Sequence, residues 1–367
     1  MKDLKKWSLY PNCIIVQGYS NSIVLDIYRQ RMFRFDSELV PCFEDLDLLQ
    51  VLETKALLEN SIIKRLVELD YLTSSSSHFE STNSFTEYES PFPVDCWIVE
   101  LKGEDSLISN LLVTYLQKVG AIAIQLIFSE SSIDTIKKNL LYIKQTNVDY
   151  VEVVVKEGKK YEADFENIFK LDDRVRLIFS EDQAYLNRKV EFVKKQNFSG
   201  WVIRQNSASN ISDKSFDINE IVYLESLNHH PFYNKRFFLD ASGFFMSYQD
   251  SRQTLFNINS MKSISDIQDV VQDIDMIKFW DVSTKKIEVC MDCEFRNCCI
   301  TDKIPMNRNG DNWYYYEECN YNPYIAKWEG EDGYLTLAEC GVISNENEFS
   351  IDHENIALIN KELWGDE

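Results

Sequence analysis

Nine cysteines occur in this 367-residue chain, and four of them fall within ten residues, "CMDCEFRNCC" at 290–299. The spacing is Cys290-x2-Cys293-x5-Cys299, with Cys319 a further 20 positions on. A tight turn through C-x2-C brings two sulfurs to the same side, where both can grip one metal centre. A third and a fourth thiolate from elsewhere complete a four-thiolate site of the kind that holds zinc or an iron–sulfur cluster. Cys298 offers C-x2-C-x4-C as an alternative register. Thiolate spacing serves zinc and iron–sulfur alike, so a site is indicated without its metal. The plainer reading is a cluster of reduced, partly buried thiols. Catalytic thiol chemistry is disfavoured because no histidine lies nearby in sequence.

The rest of the composition narrows the setting. A net charge of −22 argues against nucleic acid, since phosphate binding needs clustered Lys and Arg. No apolar run approaches the roughly 20 residues of a membrane span. The start, "MKDLKKWSLYPNC", has lysines but no apolar stretch of roughly 7–15 residues after them, so it does not read as a signal peptide. A cytoplasmic location is the expectation, and in a reducing compartment clustered cysteines point to metal or catalysis before disulfides.

The elements that must position the cysteines read as follows. Residues 10–37 contain three β-rich runs, about 13–19, 22–28 and 31–36, parted by short polar breaks, which predicts a three-stranded antiparallel meander. A helical region follows at roughly 39–50 and again at 54–71, where Leu57, Leu58, Ile62, Ile63, Leu66 and Leu69 make one apolar stripe. "TSSSSHFESTNSFTEYESPFP", 73–93, is the best linker in the chain. From 97 on, strand starts recur every 24–29 residues, near 97, 121, 150, 175 and 200, with helical texture between them, including 185–196. That rhythm predicts βα units around a parallel sheet, a partial barrel before a closed one, with doubly wound packing as the alternative. No Gly-rich phosphate loop is present. After about 231 a hairpin turning at Ala241-Ser242-Gly243, a helix opened by a Ser cap in "SISDIQDVVQDIDMIKFW", the cysteine cluster and an acidic, frayed tail complete the chain.

These words carry a resemblance. "HHPFYNKRFFLDASG", "IEVCMDCEFRNCCITD" and "CNYNPYIAKW" resemble the SPASM domain of radical SAM peptide-modifying enzymes, and most of all the SPASM-domain protein of grasp-with-spasm peptide systems. The meander with its helices resembles the PqqD-like peptide-recognition element of ribosomal peptide pathways. The resemblance implies an α/β chain with a PqqD-like winged-helix module at 1–72, the linker, a partial (β/α) barrel related to radical SAM proteins at 94–230, a SPASM domain at 231–350 and an acidic tail at 351–367. It implies a [4Fe–4S] cluster, with zinc as the alternative, held by Cys290, Cys293, Cys299 and Cys319.

The departures are as informative. Tyr248 and Lys303 stand where a two-cluster SPASM domain has cysteines, so one cluster is the most that is supported. The C-x3-C-x2-C that grips the catalytic cluster of radical SAM enzymes is absent: Cys96 stands alone before "WIVELK", with no cysteine until Cys290. Without those thiolates the chain is not expected to cleave S-adenosylmethionine, and the scaffold reads as one that has lost that site.

The resemblance further implies that a leader peptide adds a strand to the edge of the meander, by backbone hydrogen bonds with side-chain pockets for choice. The residues it points to are Arg31, Met32, Phe33, Arg34 and Phe35 of the third strand, Phe33 and Phe35 facing one way and Met32 and Arg34 the other, with Ile62 and Leu66 of the helical stripe. Core packing is the plain alternative for each of them. The expected function is that of an accessory protein in ribosomal peptide maturation, binding the precursor and presenting it to an ATP-grasp ligase, with the metal site structural. An iron–sulfur redox enzyme acting on the peptide and a zinc-stapled interaction module are the rivals. His229, His230, Cys13, Cys42 and Cys340 are not expected as ligands, and Trp313 with Tyr314–Tyr316 are expected to shield the metal site.

Overall fold

The computed structural model describes residues 6–41, 61–75, 88–185, 188–195, 198–205, 216–248, 256–308, 310 and 312–365. The chain forms two compact units, Met1–Tyr88 with Lys214–Phe232 and Asp281–Glu367, and Glu89–Asp213 with Tyr233–Trp280. This division differs from the one drawn along the sequence. The chain's two ends share a unit, and the 236–246 hairpin belongs to the other unit.

In the first unit, β1 (Lys6–Leu9) pairs with the later strand β5 (Leu72–Ser75), so the stretch read as linker begins as strand. Between them β2 (Cys13–Gln17), β3 (Asn21–Asp26) and β4 (Arg31–Asp36) form the expected antiparallel meander, in the order β2-β3-β4. Its central strand, "NSIVLD", is apolar on both faces because both are covered. On one face Val24 joins Phe35, Ile63 and Leu66 in a core under the helix Ser61–Glu68. On the other, Ile23 and Leu25 pack with Phe295, Cys298 and Tyr321 of the cysteine-bearing segment. Most of the helical region foreseen at 39–50, with Leu57 and Leu58 of the stripe, Cys42 and residues 76–87 of the linker, lies outside the described residues.

The tail is not frayed. His353–Trp364 is a helix whose Asp352 cap accepts from the Asn355 N–H, and Ile356 on its inner stripe is fully buried beside Tyr324 and Leu337. Apolar residues at 356, 359 and 363 give it the one-sided pattern that drives such docking.

The second unit carries β6 (Cys96–Lys102), β7 (Ala121–Ser129), β8 (Val148–Lys156), β9 (Val175–Glu181), β10 (Lys189–Lys195), β11 (Phe198–Gln205), β12 (Arg236–Leu239) and β13 (Phe245–Met246). They form one mixed, mostly parallel sheet in the order β10-β11-β9-β8-β7-β6-β12-β13, antiparallel only at its two edges. The run β6, β7, β8, β9, β11 is consecutive, and right-handed crossovers then put every helix on the same face. The burial agrees. Trp97, Val99, Ile124, Leu126, Val151 and Val153 share one core with Leu112, Leu116, Ile136, Leu140 and Ile168 of the crossover helices. β12 joins β6 on the side away from β7, where the last strand of a barrel would meet the first. The order is that of a barrel opened between β10 and β13, and not of a doubly wound sheet.

The helical texture expected across 185–196 is corrected to the edge strand β10. Val190 and Phe192 alternate with charged residues at period two, and Phe192 pairs with Trp201 across the hairpin, their rings 4.7 Å apart. Lys189, Glu191, Lys194 and Lys195 suit an open sheet edge, where charge discourages further pairing.

Gly18, in the turn between β2 and β3, lies against the cysteine-bearing segment: a Cβ there would meet the Asn21 carbonyl and approach the Glu294 nitrogen to 2.8 Å. Gly18→Ala should therefore lower the stability of this unit by about 1–3 kcal/mol through overpacking. The urea midpoint followed by tryptophan fluorescence is the measurement, and an unchanged midpoint would contradict the close approach.

Candidate metal centre

The cysteine loop is fixed from its first residue. Glu288 is buried and takes both guanidinium arms of Arg308, at 2.6 and 2.8 Å, together with the Ser344 hydroxyl at 2.8 Å. The Cys290 N–H then donates back to the Glu288 carbonyl at 2.7 Å, closing a three-residue turn around Val289. Val289 is held at φ 66° and ψ −46°, a conformation that is costly for a β-branched side chain and persists only where the surroundings enforce it. Two short 3-10 turns follow, Cys290–Asp292 and Glu294–Asn297. Asn297 anchors the second by donating to Ser226 of the helix Glu220–Asn228 at 2.8 Å.

The result is that Cys290, Cys293, Cys299 and Cys319 line a single, partly open cavity. Cys298 does not line it. Its side chain is fully buried on the meander side, its thiol directed at the Phe295 carbonyl at 3.4 Å. The cavity wall is aromatic, from Phe216, Phe295, Tyr321 and Trp328, with Tyr321 and Trp328 rings 4.7 Å apart and Phe216 and Phe295 rings 4.5 Å apart. Burial pushes the Cys293 thiol well above its ordinary range, reinforced by Glu294 and by the neighbouring Cys290, Cys319 and Cys299.

Whether the residues fit a metal group turns on this donor set. Four soft sulfur donors and apolar walls match the ligand preference of zinc or an iron–sulfur cluster. Among the described residues no three His, Cys, Asp or Glu side chains are drawn together tightly enough to hold a single ion. The four thiols surround a space and do not converge on a point. None of the described cysteines is in a disulfide.

The remaining candidates fall elsewhere. His229 pairs with Asp281 at 2.9 Å and the buried His230 with the Tyr315 hydroxyl at 3.0 Å, both away from the cavity wall. Cys340 is buried in the tail-helix core, where its sulfur accepts from Asn322, and Cys13 sits under the meander helix with burial pushing its thiol up to about 12. The shield expected from Trp313 and Tyr314–Tyr316 is corrected. These residues belong to or follow a hairpin of β14 (Pro305–Asn307) and β15 (Trp313–Tyr315), Tyr316 is 85% exposed, and the aromatic wall comes from Phe216, Phe295, Tyr321 and Trp328 instead. Arg296 was also not singled out from sequence: it lines the cavity, donates to the carbonyls of Gln17 and Cys293, and so ties the loop to the meander turn.

Of the seven residues considered for peptide binding, the structure separates core from surface. Leu66 and Phe35 are buried in the meander core, with Phe33 packed against it. Arg31 is committed to Asp26, to the Leu69 carbonyl and to the Tyr71 ring, and Met32 packs against the core that Ile23 and Leu25 share with Phe295, Cys298 and Tyr321. Arg34 and Ile62 line an open groove with about 1430 Å³ of empty space, which Asp36 of β4 and Asn360, Lys361 and Trp364 of the tail helix also line. Beside it β4 is an edge strand, and among the described residues no strand pairs with its outer side.

No protein-family model matches the chain, and no curated protein matches it. Among solved structures, Streptococcus suis SuiB bound to S-adenosylmethionine aligns at 9% identity over 80% of this chain and 94% of that one, with a TM-score of 0.33. A second structure of Streptococcus suis SuiB aligns at 8% identity over the same shares, with a TM-score of 0.28. Correspondence this loose transfers neither a fold nor a residue role. No helix among the described residues is long and apolar enough to cross a membrane.

Two outcomes follow. Leu66→Ala should cost about 2–5 kcal/mol of stability as a core truncation, whereas Arg34→Ala, on the exposed groove wall, should stay within about 0.5 kcal/mol. Equal urea midpoints for the two variants would contradict the assignment. Because burial keeps the Cys293 thiol protonated at neutral pH, a metal must displace its proton. Zinc affinity, measured by competition with a chromophoric chelator, should therefore rise as pH increases, by on the order of tenfold per unit for each proton displaced. An affinity flat with pH would remove Cys293 from the ligands.

Proposed function

We propose that this chain is an accessory protein of ribosomal peptide maturation, which binds a precursor peptide and holds one [4Fe–4S] cluster on Cys290, Cys293, Cys299 and Cys319 as a structural clamp. The observation that carries the reading is that those four thiols, spread over 29 positions from Cys290 to Cys319, line one apolar cavity in the same unit as the edge strand Arg31–Asp36. When bound, such a group supplies a rigid multi-thiolate crosslink and, in principle, one-electron chemistry. The chain's own residues do the rest. Glu288 and Arg308 fix the approach to Cys290, Asn297 fixes the second turn, and the aromatic wall gives the sulfurs apolar surroundings. A peptide would add to the outer edge of β4, its backbone pairing with that strand and its side chains meeting Arg34, Ile62 and the tail helix in the groove.

The resemblance in sequence supports the pathway and the partner, an ATP-grasp ligase that would join side chains of the presented peptide. The lack of a cysteine triad in the sheet-bearing unit, whose only described cysteine is Cys96, supports a binding role over S-adenosylmethionine cleavage.

The test is metal content and visible absorption of protein purified without oxygen. About four irons per chain with a brown chromophore is expected, abolished in Cys293→Ala and retained in Cys298→Ala. One zinc and no colour would replace the cluster with a zinc staple. Metal equally retained in Cys293→Ala would sink the site.

A further inference from the structure

Three of the four cavity thiols come from one short loop, and the fourth arrives from a distance. After Cys299 the chain leaves through the β14–β15 hairpin and returns along Tyr316, Glu317 and Glu318, all exposed, before Cys319 reaches the cavity. That return is made of exposed residues, so the position of Cys319 depends on what ties the stretch down.

Lys303 is that tie. Its ammonium donates to the Glu317 carbonyl at 2.9 Å and to the Glu318 carbonyl, the two carbonyls immediately before Cys319. Lys303 is itself oriented from the other side, its N–H donating to the Thr301 hydroxyl at 3.3 Å, and Thr301 lines the cavity. Cys319 in turn accepts from the Tyr321 N–H at 3.4 Å, which fixes the far side of the sulfur. The segment that carries Cys299 away from the cavity is thus bolted by one cation to the segment that brings Cys319 back.

We propose that Lys303 is the positioning residue of the fourth thiolate: by holding the Glu317 and Glu318 carbonyls it presets the Glu317–Cys319 backbone for metal binding. This rests on the reading of Cys319 as a ligand. Outer-shell partners of metal ligands commonly change affinity by about 10–100-fold when removed, and a preset fourth ligand acts chiefly by slowing release of the bound group. The position is one where a bare loss of packing would have little effect, since Lys303 is only half-buried at the surface.

The test uses the full chain with Lys303→Met, Lys303→Gln, Lys303→Arg and Cys319→Ala, loaded without oxygen with ferrous iron and sulfide and, in parallel, with zinc. Release to a chromophoric chelator is followed, and in the metal-free protein the alkylation of Cys319 and of Cys290 by iodoacetamide is compared by mass spectrometry. Lys303→Met and Lys303→Gln should release metal on the order of tenfold faster than the parent. They should speed alkylation of Cys319 while leaving Cys290 unchanged, and Lys303→Arg should restore most of the effect. Parent-like release and alkylation in Lys303→Met, with metal lost in Cys319→Ala, would overturn the role of Lys303 and leave the site standing. Full metal retention in Cys319→Ala would instead overturn the ligand reading beneath it. A general loosening, with Cys290 accelerated as much as Cys319, would also count against a positioning role, and Lys303→Gln provides the same comparison if Lys303→Met does not fold.

Discussion

Four thiols face one apolar space, and the Cys293 thiol among them resists ionisation because a charge there gives up hydration beside Glu294 and the other sulfurs. The protein accordingly holds the loop from outside the cavity. The Glu288–Arg308 pair sits at its start, Asn297 on the helix Glu220–Asn228 at its middle, and Arg296 reaches to the Gln17 carbonyl. The unusual backbone of Val289 makes sense in that frame. A residue in a disfavoured conformation is kept there by a neighbour that is itself buried and doubly charged-paired, which places Cys290 before any ligand arrives.

The same loop is half of the meander's core. Val16, Ile23 and Leu25 would face water without Phe295, Cys298 and Tyr321, and Val24 on the opposite face of the same strand would do so without Ile63 and Leu66. A small sheet needs an apolar face packed against something to be stable on its own. Here both faces are covered, one by a local helix and the other by residues more than 260 positions later in the chain. The candidate peptide edge and the candidate metal loop are therefore parts of one packed body.

Much of this could be read from the residues in order. The meander, the strand starts near 97, 121, 150, 175 and 200, the Ser263 cap and the Gly243 turn are local features, set by period, capping and φ, and the structure has them where the patterns put them. What could not be read is non-local. Nothing in "KVEFVKK" says that it lies beside Trp201, and its seven residues suit either an exposed helix face or an exposed edge. Leu66 carries the same chemistry whether it lines a groove or fills a core, and only the packing of Phe35 and Tyr71 around it decides. The tail helix was legible in the spacing of Ile356, Ile359 and Leu363, but acidic residues between them masked it. That Cys299 lines the cavity and Cys298 does not follows from the direction of two adjacent side chains, which spacing alone does not encode.

The wedging of Gly18 against Glu294 and the bond from the Tyr19 N–H to the Asp292 carbonyl, at 2.8 Å, also bear on how the molecule comes into being. The meander leaves the ribosome long before the segment that covers its second face has been made. At about 5–20 residues per second, the wait is on the order of tens of seconds. Throughout it, Ile23 and Leu25 lack Phe295, Cys298 and Tyr321, while the sheet-bearing unit, most of whose strands pair with the next in sequence, is made in the meantime. Contacts of such long sequence separation form late and slowly. During synthesis the chain is thus a finished sheet trailing an unfinished one, and the exposed face of the young meander is the surface a chaperone would meet first.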